Sequence, residues 1–177
     1  MNDQFEIVST DSVQISRFQV TIDQLQLKDC RQEYSYINIR PGVCVLPIYQ
    51  GRVVCIHQYR FPVRSWEYEF PGGFIDDGET PQEAAARELW EETGLTAEAL
   101  VSLGYFYPSF GSTNEKIHLF MAHCSACGEA RREPAEFISI ESFPVKAFDE
   151  MVKNGIFRHG AGLAVWARCK GTQLEKK

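Results

Sequence analysis

Three glutamates stand close together near the middle of the chain, Glu88, Glu91 and Glu92, with Arg87 just before them. Residues three and four apart share one face of an α-helix, so on a helix Glu88 lies beside both Glu91 and Glu92. Like charges at that spacing repel by about 0.2–0.5 kcal/mol per pair in an isolated helix. A surface gains nothing from that repulsion unless something positive sits on it. Mg²⁺ suits the place, because it takes hard oxygen ligands and combines carboxylates with substrate phosphates. Arg87 is placed to pair with Glu91 one turn on, or with Glu79 in the preceding loop, and so to hold the carboxylates. The glycine-rich segment Pro71-Gly72-Gly73 leads into the cluster and lets backbone approach a ligand closely. The bland alternative is a solvated acidic face.

The helix that must carry this cluster has clear ends. Thr80 is a good N-cap, Pro81 suits the first helical position, and Glu83 completes a capping box. The run from Gln82 to Glu92 is rich in strong helix formers, and Gly94 is the natural stop. Ahead of it the chain reads as β. Gln14–Ile22 alternates in part, Tyr34–Ile39 alternates more regularly, and Gly42–Tyr49 and Arg52–Gln58 flank a Gln50-Gly51 turn as a hairpin. Behind it, Leu100–Tyr107, Lys116–His123 and Glu136–Ile140 read as strands. Ser142–Lys153 and Gly160–Arg168 read as helices. The expected fold is α+β, a mixed β-sheet sandwiched between helices with antiparallel strands at the N-terminus.

Composition narrows the partners. Of 177 residues, 44% are hydrophobic and 24% charged, the mix of one ordinary globular unit. The formal net charge of −6 argues against a nucleic-acid partner bound by a general basic surface. No apolar run is long enough for a membrane span, and Met1–Val8 does not resemble a signal peptide, so a cytoplasmic location is the expectation. Cys124 and Cys127 form a CxxC with no second pair, which reads as inert rather than as a zinc site. None of the four histidines is assigned to a site.

The stretch Gly73–Leu95 matches the signature of the Nudix hydrolases. Gly73, Glu79, Arg87, Glu88, Leu89, Glu91, Glu92, Gly94 and Leu95 fill its specified positions in register. The resemblance implies a Nudix fold and a loop–helix–loop that binds two or three Mg²⁺ ions, with Mn²⁺ as a possible substitute. Glu88 and Glu92 match the helix ligands. Glu91 matches a position that ligates or assists, and the Gly72 carbonyl often completes the site. Glu79 and Arg87 match residues that orient the glutamates, and Gly73 and Gly94 match structural positions. A glutamate from outside the signature commonly assists catalysis or ligates metal. Glu136 is the best match for it and Glu133 the nearby alternative.

The wider pattern, Gln58-Tyr59-Arg60 followed by Trp66–Gly73, is similar to the ADP-ribose pyrophosphatases within that family. There, a residue matching Arg60 contacts substrate phosphate, and one matching Glu69 lies near the metals or the terminal ribose. Glu115 matches a loop glutamate near substrate. Similar enzymes form homodimers through N-terminal strands, and an aromatic from that region stacks on adenine. Tyr34 is the best match for that aromatic and Tyr36 the second. The implied organisation is one structural unit with residues 1–40 for dimerisation and base binding and 41–177 as the hydrolase domain. The implied substrate is a nucleotide sugar, first ADP-ribose, cleaved to AMP and ribose 5-phosphate. Phe110 stands where such enzymes usually have proline, and ADP-sugars and GDP-mannose are the alternatives, because the same scaffold handles them. A non-catalytic ADP-ribose sensor is the alternative from another class. Changing Glu136→Gln should slow turnover strongly in a steady-state assay; a mild effect moves the role to Glu133 or Glu115.

Overall fold

A computed structural model describes residues 5–128 and 138–174. The chain divides into two compact units, Met1–Arg40 with Tyr107–Lys116, and Pro41–Phe106 with Ile117–Lys177.

In the first unit, β1 (Phe5–Ile15), β2 (Phe18–Leu27) and β3 (Arg31–Asn38) form an antiparallel meander. The partly alternating segment Gln14–Ile22 turns out to contain the β1–β2 hairpin. Ser16 turns the chain with φ 54°, and Ile15 pairs with Phe18. Neither Ser16 nor Arg17 is one of the glycine or asparagine residues that announce such a turn. The 107–116 segment docks on β3. The Ile37 N–H donates to the Ser112 carbonyl at 2.9 Å, and the Ile39 N–H donates to the Asn114 side chain at 2.8 Å. All of β1 is exposed, including Phe5, Ile7, Val8, Val13 and Ile15.

The second unit is built on β4 (Gly42–Tyr49), β5 (Arg52–Arg60), β6 (Ser65–Glu69), β7 (Leu95–Phe106), β8 (Ile117–Cys127) and β9 (Ile138–Pro144). The order is β6-β5-β4-β8-β7, with β9 also paired to β5. Only β4 and β8 run parallel, so the sheet is mixed. The β4–β5 turn takes Gln50 at φ 49° and Gly51 at φ 72°, the paired positive values that suit a tight hairpin.

Helices cover both faces of this sheet. Val43 and Val45 face α1 (Pro81–Thr93) through Ala84, Ala85 and Leu89. Their neighbours Cys44 and Leu46 join the core under α2 (Val145–Lys153) and α3 (Gly160–Leu174), with Phe148, Phe157 and Val165. Burial on both faces explains why β4 reads as an unbroken apolar run. The helix expected from Ser142 begins at Val145, because Ser142–Pro144 stays in β9 against Arg52–Val54. No helix among the described residues is long and apolar enough to cross a membrane.

Candidate active site

The N-terminus of α1 is built as its sequence demands. The Glu83 N–H donates to the Thr80 hydroxyl, and the Glu83 carboxylate accepts from the Thr80 N–H at 2.8 Å. Gly94 ends the helix at φ 72° and donates its N–H to the Trp90 carbonyl. Ala84, Ala85 and Leu89 pack into the core, and Arg87, Glu88 and Glu91, three, four and seven residues after Ala84, run along the edge that borders it.

Arg87 organises that edge. Its Nε and one terminal nitrogen hold both oxygens of Glu79 at 2.9 Å. Its other terminal nitrogen reaches Glu88 at 2.7 Å and Glu91 at 3.1 Å. It also donates to the Phe74 carbonyl at 3.0 Å, which ties the helix to the incoming loop. Both pairings open to Arg87 in the sequence are therefore made at once. A planar guanidinium with five donors can do this, where an ammonium point charge could not keep the geometry. These hydrogen bonds hold Glu79 below the usual carboxylate range, helped by the Asp76 N–H.

The loop before the helix is fitted with little room. The Gly72 N–H donates to Glu92 at 2.8 Å, and Glu92 is only 7% exposed. The Val43 N–H bonds the Gly73 carbonyl, and the Val45 N–H bonds that of Pro71, both at 2.9 Å, so the loop is pinned to β4. A Cβ at Gly72 would lie 2.2 Å from the Val43 carbonyl oxygen. A Cβ at Gly73 would lie 2.4 Å from a Glu88 carboxylate oxygen. Gly72 is thus required by backbone, whereas Gly73 makes room for a carboxylate.

Could these residues hold the divalent ion? The Glu88, Glu91 and Glu92 carboxylates and the Gly72 carbonyl are hard oxygen donors, and Glu88 is packed into the space that Gly73 leaves open. Among the described residues no three acidic, histidine or cysteine side chains form a ready-made cage. Mg²⁺ does not require one, since it binds through one or two carboxylates, substrate phosphates and retained waters. The donor set fits the ion on those terms.

A second group of charges lies beside the loop. Arg60 and Glu69, expected as separate substrate contacts, form a bidentate pair at 2.6 Å for both bonds. The two share one face of the β5–β6 ladder, but Arg60 opposes Ser65 while Glu69 opposes Ile56, so the long arginine side chain closes the pair by reaching along β6. The Phe70 N–H, at the next residue, donates to His159 Nδ1 at 3.2 Å. Burial pushes the His159 pKa down, and because Nδ1 accepts the Phe70 N–H, the ring's proton belongs on Nε2, which lies 4.0 Å from Glu69. Glu69 and Glu92 both act on the buried Cys44 thiol, whose pKa is pushed up first by burial and then by their charges.

His159 was not assigned to the site from sequence, and its contact with Phe70 spans 89 residues with no local signal. Glu67 belongs to the same group, since the period of two in β6 puts it on the face of Glu69. Tyr34 and Glu115 lie in the first unit. The Tyr34 hydroxyl donates to the Gly111 carbonyl at 3.0 Å, and burial raises the Glu115 pKa. Glu133 and Glu136 lie outside the described residues. Phe110 is 82% exposed.

Comparison with known proteins gives a consistent set of likenesses. Residues 38–161 match the NUDIX domain. An ADP-ribose pyrophosphatase of Bacillus subtilis (strain 168) is 33% identical over 132 residues, 73% of this chain and 71% of that protein. A methanol dehydrogenase activator of Bacillus methanolicus is 33% identical over 69% of this chain and 65% of its own length. An ADP-sugar pyrophosphatase of Mus musculus is 34% identical over 58% of this chain, which spans about half of it, 52%. The crystal structure of an ADP compounds hydrolase superposes with a TM-score of 0.86 at 24% identity, over 98% of this chain and 96% of that one, a likeness of fold.

The two glycines should respond differently to the same change. Gly72→Ala should lower the unfolding midpoint, because the methyl meets backbone. Gly73→Ala should leave the midpoint near wild type and weaken Mg²⁺ affinity, because the Glu88 carboxylate must move. Thermal melts and Mg²⁺ titration test the pair. Equal melting losses would show that Gly73 too is a folding constraint.

Proposed function

Since the chain belongs to the Nudix hydrolase family, we propose that it hydrolyses ADP-ribose to AMP and ribose 5-phosphate with Mg²⁺. The observation that carries this reading is the Arg87 network, which presents Glu88, Glu91 and Glu92 beside the Gly72–Gly73 loop. The name of the Bacillus subtilis relative supports the substrate. Glu88 and Glu92, with the Gly72 carbonyl, are the groups to hold the ion, and Glu91 assists.

When bound, the ion neutralises phosphate oxygens and lowers the pKa of a coordinated water. Everything else falls to the chain. Water adds to one phosphorus, the bridging P–O bond breaks, and the bridging oxygen leaves with the other phosphate. A carboxylate must accept the proton of the attacking water, and Glu136 is the residue proposed for that step. Arg60, fixed against Glu69, is proposed to donate to a substrate phosphate. Tyr34 is proposed to stack on the adenine, and Glu115 to lie near substrate.

The exposed apolar residues of β1 support a homodimer formed through the N-terminal strands, since a row of apolar side chains on an edge strand is costly in water. Free thiols at Cys44 and Cys55 are consistent with work in the reducing cytoplasm.

Purified protein with Mg²⁺ should release AMP and ribose 5-phosphate from ADP-ribose, with higher kcat/KM than on ADP-glucose, GDP-mannose or nucleoside triphosphates. Chelation should abolish the reaction. Glu92→Gln should lower kcat by about a hundredfold or more with the fold intact. Tight ADP-ribose binding without turnover would replace the enzyme by a sensor. Sedimentation equilibrium should give a mass of twice the chain, and Ile7→Asp with Val13→Asp should shift it to that of one chain. An unshifted dimer places the interface elsewhere.

A further inference from the structure

A cavity of about 590 Å³ opens beside Glu69, with Arg60, Glu67, Arg158 and His159 among its walls and Val63 on its apolar side. It holds two Arg–Glu pairs. Arg60 grips Glu69, and Arg158 grips Glu67 with bonds of 3.0 and 2.6 Å. The Ser65 hydroxyl donates to Glu67 as well, at 2.5 Å. In the second pair the carboxylate lies deep and the guanidinium lies at the rim, 13% and 62% exposed respectively. Ser65 and Arg158 together keep Glu67 ionised by lowering its pKa.

The charge balance selects the ligand. Two guanidinium groups face two carboxylates, and His159 accepts the Phe70 N–H at Nδ1 and so carries no proton there. Beyond the substrate phosphate proposed to meet Arg60, another phosphate would gain little at the Glu67–Arg158 end. A neutral group rich in hydroxyls fits better, because hydroxyls can donate to carboxylate lone pairs and accept from guanidinium N–H groups. Glu69 is three residues from Gly72, a span of roughly 11 Å at most, so the cavity wall begins within one sugar-phosphate of the loop proposed to hold the ion. The volume lies within the range of small-molecule pockets.

We propose that this cavity receives the hydroxyl-bearing group carried on the second phosphate of the substrate, and that the Glu67–Arg158 pair reads its hydroxyls. The proposal rests on the pyrophosphatase reading above. It makes Glu67 and Arg158 specificity determinants, with His159 positioning Glu69 by holding the Phe70 backbone.

The test compares ADP-ribose with the β-methyl ester of ADP, which has the same nucleoside and pyrophosphate and no sugar beyond. Wild type should prefer ADP-ribose. Arg158→Ala should lower kcat/KM for ADP-ribose about tenfold, the scale of one charge-assisted hydrogen bond lost, with a several-fold smaller loss on the methyl ester. Glu67→Gln, close in shape, should narrow the preference in the same direction. Equal losses on the two substrates, or an unchanged ratio in both variants, would overturn the proposal and leave the pair a brace for β6. A wild type that cleaves both substrates equally overturns it too, with the hydrolase intact. A wild type that cleaves neither overturns the hydrolase reading and this inference together.

Discussion

Arg87 is the single group on which the acidic face of α1 depends. Three glutamates in five residues repel one another, and the helix alone offers nothing to offset that. The guanidinium contacts Glu79, Glu88 and Glu91 together, and by reaching the Phe74 carbonyl it joins helix and loop. The carboxylates are thereby fixed before any ligand arrives. In a catalytic setting, groups held in advance cost no reorganisation during reaction.

The second constraint is the passage of the chain from β6 through Phe70–Gly73. Phe70 is sunk among Phe148 and Phe157, with ring centroids at 5.3 and 4.9 Å. Two residues later Gly72 lies against the Val43 carbonyl and donates to Glu92. The core beneath α2 and α3 therefore sets the position of a loop that meets α1 on the opposite face. Close packing makes that transmission possible, since cores tolerate little displacement. His159, at the start of α3, adds a hydrogen bond to the same stretch.

Charge is distributed differently on the two sides of this passage. Along α1 acidic groups outnumber the one arginine, which leaves the place suited to a cation. Around β6 the arginines and glutamates are matched one to one. The proposed substrate, an anionic pyrophosphate joined to a neutral sugar, has the same division along its length.

What the sequence by itself determined lies at short range. The caps of α1, its acidic face, the β4–β5 turn and the Gly73–Leu95 spacing all follow from helical and turn geometry within a few residues, and the structure contains each of them. Turns without a marked residue escaped, as at Ser16, and so did the strand character of Ser65–Glu69. Only the tertiary structure decided that Arg60 binds Glu69, that Glu67 meets Arg158 from 91 residues away, and that His159 supports Phe70. Those contacts arise where strand register and the α2–α3 connection bring distant segments together. No local preference encodes them, because a side chain's propensity reflects its own turn or strand, while its partner is chosen by how the whole core packs.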